Sequence, residues 1–199
     1  MNGRSALARL LPLAGLALIV ALGPLVAGCA AVVIGATAGA GTLVAMDRRS
    51  SGILASDQAI ESKVTKDAAN RWPSGVHLNV TSYDGKVLLT GEVPTAAIRD
   101  EIGQLATATE YVRGVNNELL VGPETEFGAR TQDTYITTKV KARLIEAGRL
   151  DANNVKVVTE RRVVYLLGLV SRQEGNAAAE IAASTTDVAR VVKLFEYTD

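Results

Sequence analysis

Nucleophilic and metal chemistry needs partner groups within hydrogen-bonding reach. The residues to weigh first are therefore the single histidine, His77, the single cysteine, Cys29, and the acids Glu92, Asp100 and Glu101. His77 lies in an alternating run with Val76, Leu78 and Val80, which puts its ring on the face opposite those apolar neighbours, in a solvated or packing position. A zinc site or a catalytic triad needs further ligands or a base that the sequence does not place beside it. Glu92 with Asp100 or Glu101 resembles a carboxylate pair, but acids near the first turn of a helix are ordinary partners of its dipole. Gly35, Gly39 and Gly41 follow no strand and are joined by no P-loop lysine, so they make no phosphate cradle. The expectation is a non-enzymatic chain with no catalytic residue, no metal and no cofactor.

Cys29 has a different chemistry in view. Residues 1–28 carry Arg4 and Arg9 and no acid, then an apolar run from Leu10 to Val26 and a small-residue end, which is the build of a secretory signal. Leu25-Val26-Ala27-Gly28-Cys29 resembles the bacterial lipobox, in which lipid is attached to sulfur before the chain is cut ahead of the cysteine. That resemblance implies a lipidation site at Cys29, and several acyl chains, at ~0.8 kcal/mol per buried CH₂, hold a protein on a membrane for good. The alternative is an uncleaved membrane helix, since no charge occurs from Leu10 to Met46, longer than the ~20 residues such a helix needs. Ala30 to Met46 is mostly Ala and Gly, however, a composition suited to a tether over 29–54. Ala30 after the cysteine, rather than Asp, points to the outer membrane, periplasmic face. Without the leader the chain has 19 basic and 21 acidic side chains, no footprint for nucleic acid.

The elements behind these residues come in two copies. Asp57-Gln58-Ala59-Ile60-Glu61-Ser62-Lys63-Val64 aligns with Asp133-Thr134-Tyr135-Ile136-Thr137-Thr138-Lys139-Val140, and Val87 to Val93 aligns with Val164 to Val170, at offsets of 76 and 77. Each copy reads helix, strand, strand, helix, strand. The first helix is expected to start near Ser56 or Asp57 as N-cap, with Ile60, Val64 and Ala68 on its inner face and a stop before Trp72-Pro73; its counterpart shows Ile136, Val140 and Leu144 and ends at Gly148. Asp84-Gly85 is a hairpin turn, and Arg161-Arg162 sits at the matching place. The second helices present Ile98, Ile102 and Leu105, and Ala178, Ile181 and Ala182; the last strands run over Val115 to Val121 and Val188 to Tyr197. Gly91 and Gly168 end the second strands, as structural glycines that let a helix pack closely or φ turn positive. The fold class predicted is α+β, an αββαβ two-layer sandwich occurring twice, with a three-stranded mixed sheet and two helices per copy. The domains are 55–122 and 131–199, with a linker at 123–130.

This pattern, with glycine after an apolar second strand in a unit of this size, resembles the BON domain. Leu78-Asn79-Val80-Thr81-Ser82-Tyr83-Asp84-Gly85-Lys86-Val87-Leu88-Leu89, the Asp133 to Val140 string and the lipobox together are similar to the dual-BON outer-membrane lipoproteins associated with division and envelope stress. The resemblance implies binding of anionic phospholipid, phosphatidylglycerol or cardiolipin, through the second domain, and support of outer-membrane integrity. It places the contact on that domain's first helix, around an aromatic residue standing before Ile-Thr-Thr-Lys-Val. Here that residue is Tyr135, with Ile136, Thr138, Lys139 and Arg143 as further lipid-binding candidates.

Charge counting bears on the same helix. Residues 55–122 carry 6 basic and 9 acidic side chains, and 131–199 carry 10 and 9, so an anionic surface repels the second domain less. Tyr135, Lys139 and Arg143 recur every four residues as one stripe. A ring with flanking cations suits a headgroup layer, at about 1 kcal/mol per cation. The same stripe also reads as an ordinary solvated face, with Glu146 placed to pair with Arg143; Lys141 points elsewhere on the wheel. Arg161-Arg162 offers a second contact if it projects beside Lys139. A protein-docking lipoprotein that engages outer-membrane assembly machinery is the alternative function.

Overall fold

The computed structural model describes residues 48–148 and 150–199. The expected signal peptide, the lipidation site Cys29 and the tether before Arg48 lie outside the described residues. Helix α1 (Ser51–Arg71) leads into strands β1 (His77–Tyr83) and β2 (Lys86–Val93), helix α2 (Ala96–Thr107), and strands β3 (Gly114–Asn117) and β4 (Leu120–Val121). The second copy has helix α3 (Phe127–Ala147), a 3-10 turn at Ala152–Asn154, strands β5 (Val155–Glu160) and β6 (Val163–Val170), helix α4 (Arg172–Ala183) and strand β7 (Arg190–Tyr197). No helix among the described residues is long and apolar enough to cross a membrane.

In each sheet the middle strand pairs antiparallel with its predecessor and parallel with the strand after the crossover helix, which makes the sheets mixed. The expected Val115 to Val121 strand is split into β3 and β4, but both keep one register against β2, Leu89 opposite Asn117 and Glu92 opposite Leu120. Both hairpins turn through two left-handed residues: Asp84 at φ 51° with Gly85 at 73°, and Arg161 at 50° with Arg162 at 63°. Such a turn matches the twist of the strands it joins.

Asp57 does not cap α1. The helix begins six residues earlier, with the Ser50 side chain accepting from Ile53 N–H. Asp57 is 4 % exposed, and its carboxylate accepts the backbone N–H groups of Asp84 and Gly85 and the Ser82 hydroxyl. Asp133 does the same in the second copy, accepting from Arg161 N–H and Arg162 N–H, both at 2.8 Å. An aspartate in the first helix thus holds each hairpin turn. Burial pushes the Asp57 carboxyl up, but the Gly85 N–H, Ser82, the Asp84 N–H and Arg49 outweigh it and hold it below the ordinary range.

One face of each sheet is covered by its own helices. Val87, Leu89 and Val93 of β2 pack with Ile60, Val64 and Ile102, with Trp72 at the edge of this core. Val164, Leu166 and Val170 of β6 pack with Ile136, Val140, Leu144 and Ile181. Alternate residues point the other way, and there Tyr83 and Leu88 meet Tyr165 and Leu167, flanked by Val158, Val192 and Leu194. The two sheets therefore stack face to face with helices outside. Successive side chains of a strand alternate faces, so strands buried on both faces read as continuous apolar runs, as β6 does and as Val87 to Leu89 do in β2. Gly91 and Gly168 make close approaches, but to the backbone of β1 and of the 3-10 turn that leads into β5, rather than to the covering helices. A Cβ on Gly91 would stand 2.0 Å from the His77 carbonyl oxygen, and one on Gly168 would stand 2.3 Å from that of Asn154. Only Gly91, at φ 117°, also needs glycine's conformational freedom.

Candidate functional site

Helix α3 brings together most of the residues the sequence singled out. Its inner face, Asp133, Ile136, Val140 and Leu144, is buried. Ile136, counted among the lipid-binding candidates, is fully buried in the second core and offers a bilayer no surface. Tyr135 is 56 % exposed. Two further apolar side chains share its outward face: Phe127 at 84 % and Ile145 at 70 % exposure. The exposed side chains between them on this face are Thr131, Thr134, Thr138 and Ala142, with exposed Gln132 and Lys141 on its flanks. At 1.5 Å rise per residue this uncharged stripe runs for about 27 Å. The three threonine hydroxyls turn back onto helix carbonyls, those of Phe127, Arg130 and Thr134. Their hydroxyl protons are thereby used within the helix. Gly148, at φ 57°, ends the helix as expected.

Phe127 was missed because the segment from 123 to 130 reads as a linker, and without it Ile145, inside the expected helix, had no large apolar neighbour at its own angle to mark an outward stripe. The structure makes it helical from Phe127 onward. Once the start is known, helical spacing puts positions 127, 135, 138 and 145 on one side.

The cations divide. Lys139 borders the stripe, its Nζ 5.0 Å from the Tyr135 ring centroid, 3.5 Å from Asp187 Oδ2 and 3.4 Å from the Thr186 carbonyl. Arg143 turns away. Its guanidinium donates to the Ile181 carbonyl, the Thr185 hydroxyl and the Ser184 hydroxyl at the C-terminal end of α4. A cation there satisfies orphan carbonyls and opposes the dipole of that helix, so its donors serve the fold, and no ion pair joins it to Glu146 among the described residues. Arg162 donates from Nε to the Asp187 carbonyl, so it does lie beside Lys139. Arg161 reaches Glu92 instead, at 3.4 Å.

Glu92 is not paired with Asp100 or Glu101. It is fully buried, and its carboxylate accepts from the Thr125 hydroxyl, the Thr125 N–H at 3.1 Å and His77 Nδ1 at 2.8 Å. Burial raises its pKa, but Thr125 and His77 outweigh that and hold it below the usual glutamate range. Residue Glu160 of the other sheet closes on the same place. His77 thus has partners that the sequence did not reveal.

Two stretches of the chain, 56–123 and 132–199, match the model of the BON domain. The chain is 40 % identical over 192 residues to outer membrane lipoprotein DolP of Haemophilus influenzae, covering 94 % of this chain and 98 % of that one. It is 35 % identical over 156 residues to a 21 kDa hemolysin of Actinobacillus pleuropneumoniae, covering 76 % and 79 %. With this pair of matched domains and a relative similar along nearly its whole length, the chain belongs to the BON domain family, as a two-domain member similar to an outer membrane lipoprotein.

Proposed function

We propose that this chain is a non-enzymatic lipoprotein, anchored through Cys29 at the periplasmic face of the outer membrane, whose α3 helix rests on anionic phospholipid and supports envelope integrity, including at division sites. The observation that carries the reading is the outward stripe of Phe127, Tyr135 and Ile145, three large apolar side chains left in solvent on one helix of a domain whose two cores are otherwise closed. Complete burial of one such side chain is worth roughly 1.5–3 kcal/mol. Partial insertion of three, with about 1 kcal/mol from Lys139 near an anionic surface, gives weak binding for the domain alone. The anchor supplies what is missing, since a tethered domain meets its membrane at high effective concentration.

Flotation with defined vesicles tests this, using the soluble form without Cys29. Binding is expected with phosphatidylglycerol or cardiolipin vesicles, to weaken with salt, and to fall about tenfold or more in Phe127→Ser/Tyr135→Ala while circular dichroism is unchanged. Undiminished binding by that folded double variant would overturn the reading, and so would capture of a protein partner in detergent that competes with the vesicles for this face.

A further inference from the structure

His77, Glu92 and Glu160 bring ligand-capable atoms within 4.8 Å of one another where the two domains meet. We propose that this junction is a divalent metal site, for zinc or a similar ion, with His77 Nε2 and a Glu160 oxygen as its protein ligands and Glu92 as the outer partner of the imidazole.

The assignment of roles follows from which atoms are already engaged. Glu92 is saturated by Thr125, His77 Nδ1 and Arg161. A carboxylate on the second nitrogen of a metal-bound histidine is the arrangement that fixes tautomer and ring orientation in many zinc sites. That leaves Nε2 for the ion. Glu160 is 7 % exposed, and only one of its oxygens is engaged: Asn79 Nδ2 donates to Oε2 at 2.8 Å, and no donor among the described residues reaches Oε1. The same Asn79 nitrogen lies 3.4 Å from His77 Nε2. A partly positive N–H group therefore already occupies the space between the two proposed ligands.

Turning that amide over would present Oδ1 instead, a third ligand. Solvent supplies the rest, because His77, Asn79 and Glu160 line a cleft of about 370 Å³. Two ligands on one tetrahedral zinc stand roughly 3.3 Å apart, and Asn79 Nδ2, 3.4 Å from His77 Nε2 and 2.8 Å from Glu160 Oε2, marks a position that both groups already face. A set with imidazole, carboxylate and amide oxygen suits zinc better than calcium or magnesium, which favour oxygen alone. Charge favours a cation too. Glu92, Asp133 and Glu160 converge here; Asp133 is spent on the hairpin turn, and the cleft's Arg130 is directed at Glu124 and the Thr125 carbonyl. Burial, with Glu92 and Asp133 nearby, pushes the Glu160 carboxyl up despite Asn79 and His77. Since β1 supplies His77 and Asn79 and β5 supplies Glu160, one ion would tie the two domains together.

The test uses the full chain with Cys29→Ser, which removes the one thiol, titrated with Zn²⁺ alone after chelator treatment. Expected are one Zn²⁺ per chain by calorimetry, at a micromolar Kd, and a zinc-dependent rise in Tm. His77→Gln and Glu160→Gln should weaken binding by about tenfold or more and remove the rise. His77 is the only histidine, so its imidazole signals in NMR report the site in the unsubstituted protein even if a variant fails to fold. Absence of saturable binding, undiminished binding in both folded variants, or imidazole signals that ignore zinc would each overturn the proposal.

Discussion

Asp57 reaches 28 positions along the chain to accept the backbone N–H of Gly85 at 2.9 Å. The bond is one of a set that also engages Asp84 N–H, the Ser82 hydroxyl and, through its ion pair at 2.8 Å, Arg49. The Asp133 carboxylate repeats the arrangement with Arg161 and Arg162, so both domains tie their first helix to their hairpin by the same device.

Asp57→Ala would leave two turn N–H groups without their acceptor at a buried place, and Asp133→Ala would do so under two left-handed arginines. Each should lower stability by about 3 kcal/mol, with Asp57→Asn milder because one acceptor remains. The pH dependence has a definite sign. The folded Asp57 carboxyl is held below its unfolded value, so its contribution is complete above about pH 4 and is lost as pH falls through the folded value. Urea unfolding at pH 7, 5 and 3 should show the gap between native and Asp57→Ala narrowing only at the lowest pH. A gap of constant size would remove the carboxylate from this role.

Sheet-on-sheet stacking makes a second prediction, about cooperativity. Leu167 lies in the second domain, but its side chain packs in the core shared with Tyr83 and Leu88 of the first. Leu167→Ala should cost about 3 kcal/mol. Trp72, the single tryptophan, packs at the edge of the first domain's core and reports on that domain alone. If the shared core couples the domains, its fluorescence transition moves to lower denaturant together with the far-ultraviolet transition of the whole chain. A tryptophan transition that stays in place while the other shifts would mean the domains unfold independently.

These relationships mark what the sequence could show. Ile60, Val64, Ile136 and Val140 recur at helical spacing against one neighbouring face, so the helices and the repeat were legible. Asp57 was not, because an aspartate ahead of an apolar stripe satisfies the N-cap rule as well as it satisfies the place it takes, six residues inside the helix. The apolar runs of β2 and β6 were visible, but their second face needed a cover that no single copy contains, and it is the other copy that provides it. Phe127 was hidden by the Gly, Pro and acids before and after it, which read as linker. His77 and Glu92 meet as cross-strand partners in the first hairpin, and only the stacking of the second sheet brings Glu160 to them.

Lys139 and Arg143, one turn apart, should behave in opposite ways. Arg143 is bound into the end of α4 through three oxygens. Arg143→Ala should therefore lower stability by about 1–2 kcal/mol through lost charged hydrogen bonds and a helix end left uncapped. Vesicle binding by the folded variant should stay within about twofold of the parent, because three of the five N–H donors of this side chain are held by the end of α4, away from the outward stripe. Among the described residues Lys139 is held by the Asp187 carboxylate at 3.5 Å, a long contact to the Thr186 carbonyl and the Tyr135 ring. Such a partly exposed pair contributes about 0–1 kcal/mol to folding. Lys139→Ala should leave Tm nearly unchanged while weakening binding to phosphatidylglycerol vesicles about fivefold, the equivalent of about 1 kcal/mol, and flattening its salt dependence. The pair of measurements, thermal unfolding and flotation at two ionic strengths, separates a cation that serves the membrane face from one that serves the fold. A reversed result, with Arg143 governing vesicle binding and Lys139 governing stability, would place the lipid contact on the flank of α3 that faces α4 instead of on the outward stripe.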